Sequence, residues 1–399
     1  MSNSNSVFRT YKYRIYPSQK QEEILNNILD VGCWLYNRAL NYRRKMWKES
    51  RLNVSFFDQS TMWKEWRNED PDNNPLRILN MSAGQRVLRR LDSAFHNFFQ
   101  GKRGYPRYKN KKRFNSIDYT FGDGSQIKGK KLYIQNTGLI SVKWHRDFPE
   151  ESKIKSCTIL RKPSGWYVLF RIEIPEFIPE SHNGSSIGID MGITHALTLS
   201  NGDTFDSPKY LKQSLKKLRV LNRRVSRRRK GSNRWKKSVK QLAKHHEHIA
   251  NQRKDWWHKV TRQLVNKYSI IIIEDLSLGF MLKNKILSRS AYDVSLGMFR
   301  EMLDYKAMEA GVKIITVNPA YTSQTCSGCG QIVPKDLNIR IHNCSNCGLV
   351  IDRDVNAARN ILQAGMQPSS DNVAGCSERG SRRISTKEKI HYTTNSKEI

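Results

Sequence analysis

The sequence predicts an α/β layer preceded by a small antiparallel β-barrel, and three observations carry that prediction. From Ile187 onward, short apolar strands alternate with helical patterns, the signature of strands and helices stacked in layers. Between Lys131 and Ile174, strand-like runs follow one another with turn signals between them. Three acids, Asp190, Glu274 and Asp354, each stand at the end or edge of a short apolar run in an otherwise basic chain.

Residues from Phe8 to Tyr16 alternate and read as a strand closed by Pro17, after which Ser18 and Gln21 form a capping box for a helix with Ile24, Ile28, Val31 and Leu35 as its buried stripe. A second helix is expected to start near Ser82, with Gln85 three residues on and Leu88, Leu91, Phe95 and Phe98 along one face. Trp47, Trp63 and Trp66 lie among charged residues between them. The stretch from Gly104 to Phe121 is too basic and irregular to predict a core. Strands are expected at Lys131 to Ile134, Ile140 to Val142, Ile154 to Arg161 and Trp166 to Ile174, and the N-terminal strand should complete the barrel. Farther on, Ile187 to Asp190 and Ala196 to Ser200 read as strands, with Asn201-Gly202-Asp203 as a hairpin turn. Tyr210 to Val265 reads as a basic helical pair broken at Arg227 to Asn233. Ile270 to Ile273, four β-branched residues in succession, predict a strand buried on both faces. Asp354 should begin a helix that packs Val355, Ala358 and Ile361 or Leu362 on the sheet. After Ala364 the composition turns polar and predicts disorder.

Charge narrows the partners. The 399 residues carry 70 Lys and Arg against 36 Asp and Glu, a net charge of +34. Such an excess attracts a polyanion, and nucleic acid is expected before a membrane or an acidic protein. The longest purely aliphatic run, Ile270 to Ile273, is far below a membrane span, and the N-terminus lacks a signal-peptide stretch, so a cytoplasmic protein is expected. Arg107, Lys109, Lys111, Lys112 and Arg113, interleaved with Tyr105, Tyr108 and Phe114, suit a surface that grips a phosphate backbone and stacks on bases. Arg223, Arg224, Arg227, Arg228 and Arg229 suit a heteroduplex cradle. His245, His246 and His248 face partly different ways among lysines and do not predict a metal site.

Two chemistries have a residue signature. Cys326 and Cys329, then Cys344 and Cys347, form two CxxC pairs each followed by Gly, which predicts four thiolates around one Zn²⁺ and favours metal over a redox dithiol. A closed four-thiolate site has no open position, so its role should be structural. His342 beside it is expected to be solvated, Tyr321 to Gln324 to serve as turn and cap, and Cys33, Cys157 and Cys376 to be plain thiols. Asp190, Glu274 and Asp354 are hard oxygen donors, and if the fold brings them together they suit two Mg²⁺ ions about 3.5 to 4 Å apart on a phosphodiester. An acid after an apolar strand also serves as a cap or a loop residue, so each one alone says little.

At GIDMG, IIIEDLSL, YTSQTCSGCG and DRDVNAARNIL the chain resembles the TnpB (OrfB) family of insertion-sequence proteins, relatives of type V CRISPR effectors. The resemblance runs from YRIYPSQKQ through GYPRYKNKKR to Leu362. It implies an α/β, RuvC-like (RNase H fold) nuclease domain over 184–322 and 350–364, with a zinc-ribbon insert at 323–349 and the basic helical pair at 209–266. It further implies a wedge-like barrel at 1–17 and 100–183, a helical recognition insert at 18–99, and a tail at 365–399. The implied catalytic acids are Asp190, Glu274 and Asp354, with Asp352 competing for the third role. The implied activity is cutting of double-stranded DNA beside a short transposon-adjacent motif, guided by an RNA from the transposon end, in a prokaryotic cytoplasm. Two rivals are a nuclease-inactive RNA-guided transcriptional regulator, which the three intact acids disfavour, and an RNA-independent junction resolvase.

Overall fold

The computed structural model describes residues 7–69, 74–174, 184–275, 288–336 and 339–367. The chain divides into two compact units, Met1–Phe177 and Ile178–Ile399.

The first unit is built on a seven-stranded antiparallel sheet. Its strands are β1 (Val7–Tyr16), β2 (Ser116–Thr120), β3 (Ser125–Lys128), β4 (Lys131–Ile134), β5 (Gly138–Lys143), β6 (Lys153–Lys162) and β7 (Gly165–Ile174), in the order β2-β6-β7-β1-β5-β4-β3. The two edge strands are consecutive in sequence and share one tight turn, where the Gly122 N–H donates to Ser125 O at 2.8 Å, so the sheet curls until it is nearly closed. As expected, β1 joins this sheet, and it does so as the central strand, with Tyr11, Tyr13 and Ile15 buried on its inner face. The basic stretch after Gly104 departs from expectation: Phe114, Ile117 and Tyr119 are buried, because charged residues alternate with apolar ones as the chain enters β2.

Between β1 and β2 stand α1 (Gln19–Ser50), α2 (Phe56–Asn68) and α3 (Met81–Phe99), whose apolar faces share one core with the sheet. Ser18 and Gln21 form the capping box of α1. The cap of α3 is Asn80, not Ser82: Asn80 Oδ1 accepts from the Ser82 N–H at 2.7 Å and the Ala83 N–H at 3.4 Å, leaving Ser82 buried inside the helix. Trp63 and Trp66 are buried despite their charged neighbours, whereas Trp47 is exposed. Gly84 explains how Trp63 fits, since a Cβ there would lie 2.3 Å from the indole.

The second unit carries a five-stranded sheet of order β10-β9-β8-β11-β12, made of β8 (Ser185–Asp190), β9 (Leu197–Leu199), β10 (Thr204–Phe205), β11 (Tyr268–Glu274) and β12 (Lys313–Val317). β8, β9 and β10 form an antiparallel meander, whereas β8, β11 and β12 run parallel. The interior strand β11 is buried from Ile271 to Glu274, with β8 and β12 on its two sides. The basic pair is α4 (Tyr210–Ser226) and α5 (Asn233–Lys267), and α6 (Ser288–Val294) and α7 (Leu296–Ala310) precede β12. Lys209 offers α4 no side-chain cap, so the buried Asp293 of α6 does it remotely, accepting from the Leu211 N–H at 2.9 Å and the Lys212 N–H at 3.1 Å. A hairpin of β13 (Ile341–Asn343) and β14 (Val350–Asp352) leads into α8 (Arg353–Met366). This helix runs past Ala364, where a disordered tail was expected, because Gly365 is buried against Ile272. The rest of that expected tail lies outside the described residues, as does Cys376.

Candidate functional site

Three elements converge on one carboxylate cluster. The register that pairs Ile189 with Ile273 places Asp190 and Glu274 side by side at the ends of neighbouring parallel strands, about 4.8 Å apart between strand axes. In-register neighbours on parallel strands point to the same face, so both carboxylates lie on one side of the sheet. The helix α8 brings the third acid. Gly188 makes the approach possible, since a Cβ there would sit 2.2 Å from the Ala358 carbonyl oxygen and 2.6 Å from the Leu362 nitrogen. With a glycine on the strand and Gly365 on the helix, α8 lies close across β8 and β11, and Asp354 in its first turn reaches the strand ends.

Electrostatics reports the convergence. Burial pushes the Asp190 carboxyl up to about 7, and the charges of Glu274 and Asp354 push in the same direction, against Arg353 and the Met191 N–H. Glu274 is also raised, chiefly by burial, and is partly relieved by the Thr322 hydroxyl, which donates to its Oε1 at 2.5 Å. Asp354 is held on both oxygens: Oδ1 accepts from Arg353 Nε at 3.0 Å and Nη2 at 2.9 Å, while Arg340 Nη1 lies 3.6 Å from Oδ2. Asp352, the competing acid, is exposed and otherwise occupied, because its Oδ1 caps α8 by accepting the N–H groups of Asp354 and Val355. The three sequence-predicted acids thus share one electrostatic pocket. Among the described residues, only the four thiols are drawn close enough together to enclose an ion without rearrangement.

Several residues that support this pocket were not singled out from sequence. Asn356 and Asn360, one turn apart on α8, are buried and donate to the carbonyls of Thr325 (2.8 and 2.6 Å), and Asn360 also donates to that of Thr322 at 2.8 Å. The Ser327 N–H returns a bond to Asn356 Oδ1 at 2.9 Å. This amide face ties the segment 322–327 to the helix, so Thr322 does more than the turn chemistry expected of it. The signal was present in NAARN, where two amides at i and i+4 occupy an otherwise apolar face.

That segment opens into the cysteine site. Each CxxC pair folds as a knuckle, with the Gly330 N–H donating to Cys326 O and the Gly348 N–H to Cys344 O, both at 2.9 Å. Both glycines are left-handed, with φ of 78° and 72°, which explains the trailing Gly of each pair. All four sulfurs of Cys326, Cys329, Cys344 and Cys347 lie within 4.8 Å of one another, and Cys326–Cys347 and Cys329–Cys344 are each 3.6 Å apart. A tetrahedral Zn–S₄ centre with bonds of about 2.3 Å requires sulfur separations of about 3.8 Å, so the donor set fits zinc. Hydrogen bonds from Asn346 and the Gln331 N–H lower the Cys329 thiol to about 6, favouring the thiolate. His342 was expected in solvent but is fully buried, because β13 turns it inward against the Lys335 ammonium. Cys33 and Cys157 are buried and unpaired.

The proposed grips are exposed, with structural duties added. Arg107, Lys109, Lys111, Lys112 and Arg113 lie on the surface, and the segment is pinned to α1 by the Lys109 N–H donating to Asn37 Oδ1 at 2.7 Å and by Tyr108 Oη donating to Asn41 at 2.9 Å. Arg44 stands over both Tyr105 and Tyr108, and Phe114 is core, so its ring is not free to stack. Arg227 and Arg228 are exposed, and Arg228 also closes its own turn by donating to Arg234 O at 2.7 Å and Ser238 Oγ at 2.5 Å. None of the described helices is long and apolar enough to cross a membrane.

Comparison with known proteins follows the same segments. The family described as "Probable transposase" (OrfB of IS605) matches residues 169–285, its helix-turn-helix domain matches 5–51, and the Cas12f1-like TNB domain matches 297–361. A protein of Streptomyces pristinaespiralis called "Putative RNA-guided DNA endonuclease" is 34% identical over 91% of this chain and 91% of its own length. InsQ of Escherichia coli, under the same description, is 28% identical over 90% of this chain and 92% of its own. Among solved structures, Cas12f1 in complex with sgRNA and target DNA matches 90% of this chain and 99% of that chain, with a TM-score of 0.55 at 15% identity, a likeness of fold. Identity on this scale across nearly the whole length, together with the matched domains, shows that the chain belongs to the TnpB family, related to the type V effectors.

Proposed function

We propose that this chain is an RNA-guided, metal-dependent DNA endonuclease of an insertion sequence, cutting beside a short transposon-adjacent motif. The observation that carries the reading is the meeting of Asp190, Glu274 and Asp354 where β8, β11 and α8 converge, in a protein whose net charge is +34. The names of the relatives and the Cas12f1 fold likeness support it. The unit carrying the acids serves as the RuvC-like nuclease domain over 184–322 and 350–364, with the cysteine hairpin at 323–349 as a structural zinc ribbon. The curled sheet, 1–17 and 100–183, serves as the wedge, and the helices of 18–99 as the recognition insert.

Asp190, Glu274 and Asp354 would hold Mg²⁺, which when bound supplies an activated water and neutralises the leaving oxygen of the phosphodiester. The chain's own residues do the rest. Asp190, which feels the charges of both other acids, would be the shared ligand. Thr322 fixes the Glu274 carboxylate, and the amide face of α8 keeps Asp354 in register. Cys326, Cys329, Cys344 and Cys347 brace the segment between Glu274 and Asp354 through zinc. Arg107, Lys109, Lys111, Arg113, Arg227 and Arg228 grip phosphates of a guide RNA from the transposon end and of the target duplex.

The test is cleavage by protein purified with its RNA. Asp190→Ala is expected to assemble the nucleoprotein and lose cleavage in Mg²⁺ by at least 10³-fold, the scale of removing a metal ligand. Full-rate cutting by that variant sinks the assignment. Cutting of branched DNA by RNA-free wild-type protein would replace the reading with a junction resolvase.

A further inference from the structure

We infer that Arg340 is a positioning residue that holds Asp354 in the metal-free carboxylate cluster and is exchanged for a divalent ion when one binds. The inference rests on the carboxylate reading above. Both oxygens of Asp354 are already engaged, Oδ1 by Arg353 and Oδ2 by Arg340. An ion shared with Asp190 needs at least one of them. The two guanidiniums are unequal in what holds them. Arg353 is 15% exposed, and its Nη1 also donates to the Ile339 carbonyl at 3.3 Å, so the backbone fixes it beside Oδ1. Arg340 is 52% exposed and stands 3.6 Å from Oδ2, a loose pair of a kind that contributes little and opens easily.

The second hand of Arg340 gives the exchange its structural meaning. Its Nη2 donates to Thr194 Oγ1 at 3.0 Å, and Thr194 lies in the turn directly after the strand that ends at Asp190. Its carbonyl accepts the Arg353 N–H at 2.7 Å, at the head of α8. One side chain from the cysteine hairpin therefore spans the two elements that bear Asp190 and Asp354. While no ion is present, its positive charge offsets the mutual repulsion of the carboxylates and keeps α8 against β8. A divalent ion provides the same compensation more strongly, takes over Oδ2 and releases the guanidinium, which retains its tether to Thr194.

The test uses the full chain with its zinc in place and Mn²⁺ as the probe, titrated by the electron paramagnetic resonance signal of the free ion. Arg340→Gln is expected to bind Mn²⁺ about three- to fivefold more tightly than wild type, the fold-change for removing a weakly paired competitor. The same variant should unfold at a lower temperature than wild type without added divalent ion, and the difference should vanish at saturating Mg²⁺. Arg340→Lys should restore part of both effects. Thr194→Val, which leaves the guanidinium intact, should shift both in the same direction by less. Unchanged or weaker Mn²⁺ binding in Arg340→Gln, or a melting difference that persists at saturating Mg²⁺, overturns the exchange. If wild type shows no Mn²⁺ binding that Asp190→Asn removes, the carboxylate reading itself fails.

Discussion

Asp190 is placed where charge is costly. Its folded pKa of about 7 lies above the ordinary carboxylate value, so the metal-free folded state holds the proton more tightly than the unfolded chain. By linkage, stability falls as pH rises from about 4 to about 7 and the full penalty persists above that. Asp190→Asn should therefore stabilise the metal-free protein at pH 8 by on the order of 2 kcal/mol, with no gain near pH 4, while cleavage is lost. Denaturant melts across that range, run beside cleavage assays, check both halves. At this scale the sequence was readable where chemistry dictates residue type. The four cysteines announced themselves by spacing, whereas the acids stood out only as a set of three, each at the end or edge of an apolar run. His342 and Asn360 were not readable, because whether a polar side chain turns inward depends on partners such as Lys335 and the Thr322 carbonyl, which only the fold supplies.

Among elements, two glycines set how closely helices approach. Gly188→Ala would drive a methyl into the Ala358 carbonyl, a backbone atom that cannot turn aside, so α8 must lift from β8 and carry Asp354 with it. The expected cost is about 2–3 kcal/mol in stability with a larger proportional loss of cleavage than of nucleic-acid binding, measured by chemical melts and parallel binding and cutting assays. Gly84→Ala makes a sharper test, since alanine is favoured over glycine within a helix by about 1 kcal/mol. With the Trp63 indole 2.3 Å from the new Cβ, the substitution should still destabilise, and a stabilised variant would refute the packing account. Strands with apolar alternation, β1, β6 and β7, and the unbroken isoleucine run of β11 were legible in the sequence. β2 and β3 were not, because their inward residues Ile117, Tyr119 and Ile127 are scattered through polar and charged stretches; β2 finds its partner far along the chain in β6, whereas β3 pairs with the adjacent β4. The start of α3 near Ser82 was legible but its cap was not, since Asn80 and Ser82 are both able to cap and the barrel decides for Asn80, whose Nδ2 donates to Asp123 and Gln135 at 2.9 and 2.7 Å.

For the whole molecule, the charge of +34 makes affinity a function of salt. Raising monovalent salt from 50 to 200 mM should weaken binding to non-specific duplex by about 10³-fold or more, and a shallow dependence in filter binding would exclude a phosphate-dominated interface. The same excess includes a cation held inside: Lys306 is buried, donates to His258 O at 2.6 Å and Thr261 Oγ1 at 2.8 Å, and is lowered by desolvation to about 8. Its folded form gives up the proton first, so stability should rise between about pH 8 and 10.5. Lys306→Met should accordingly melt higher at pH 7 by about 1 kcal/mol, with the advantage closing towards pH 10. The remote cap on α4 has its own dynamic signature. Because Asp293 accepts the Leu211 and Lys212 amides, these protons are protected while α6 stays docked. The head of the basic hairpin and the short helix that restrains it should therefore open as one cooperative unit, with matching deuterium-uptake rates, and Asp293→Ala should speed uptake in both.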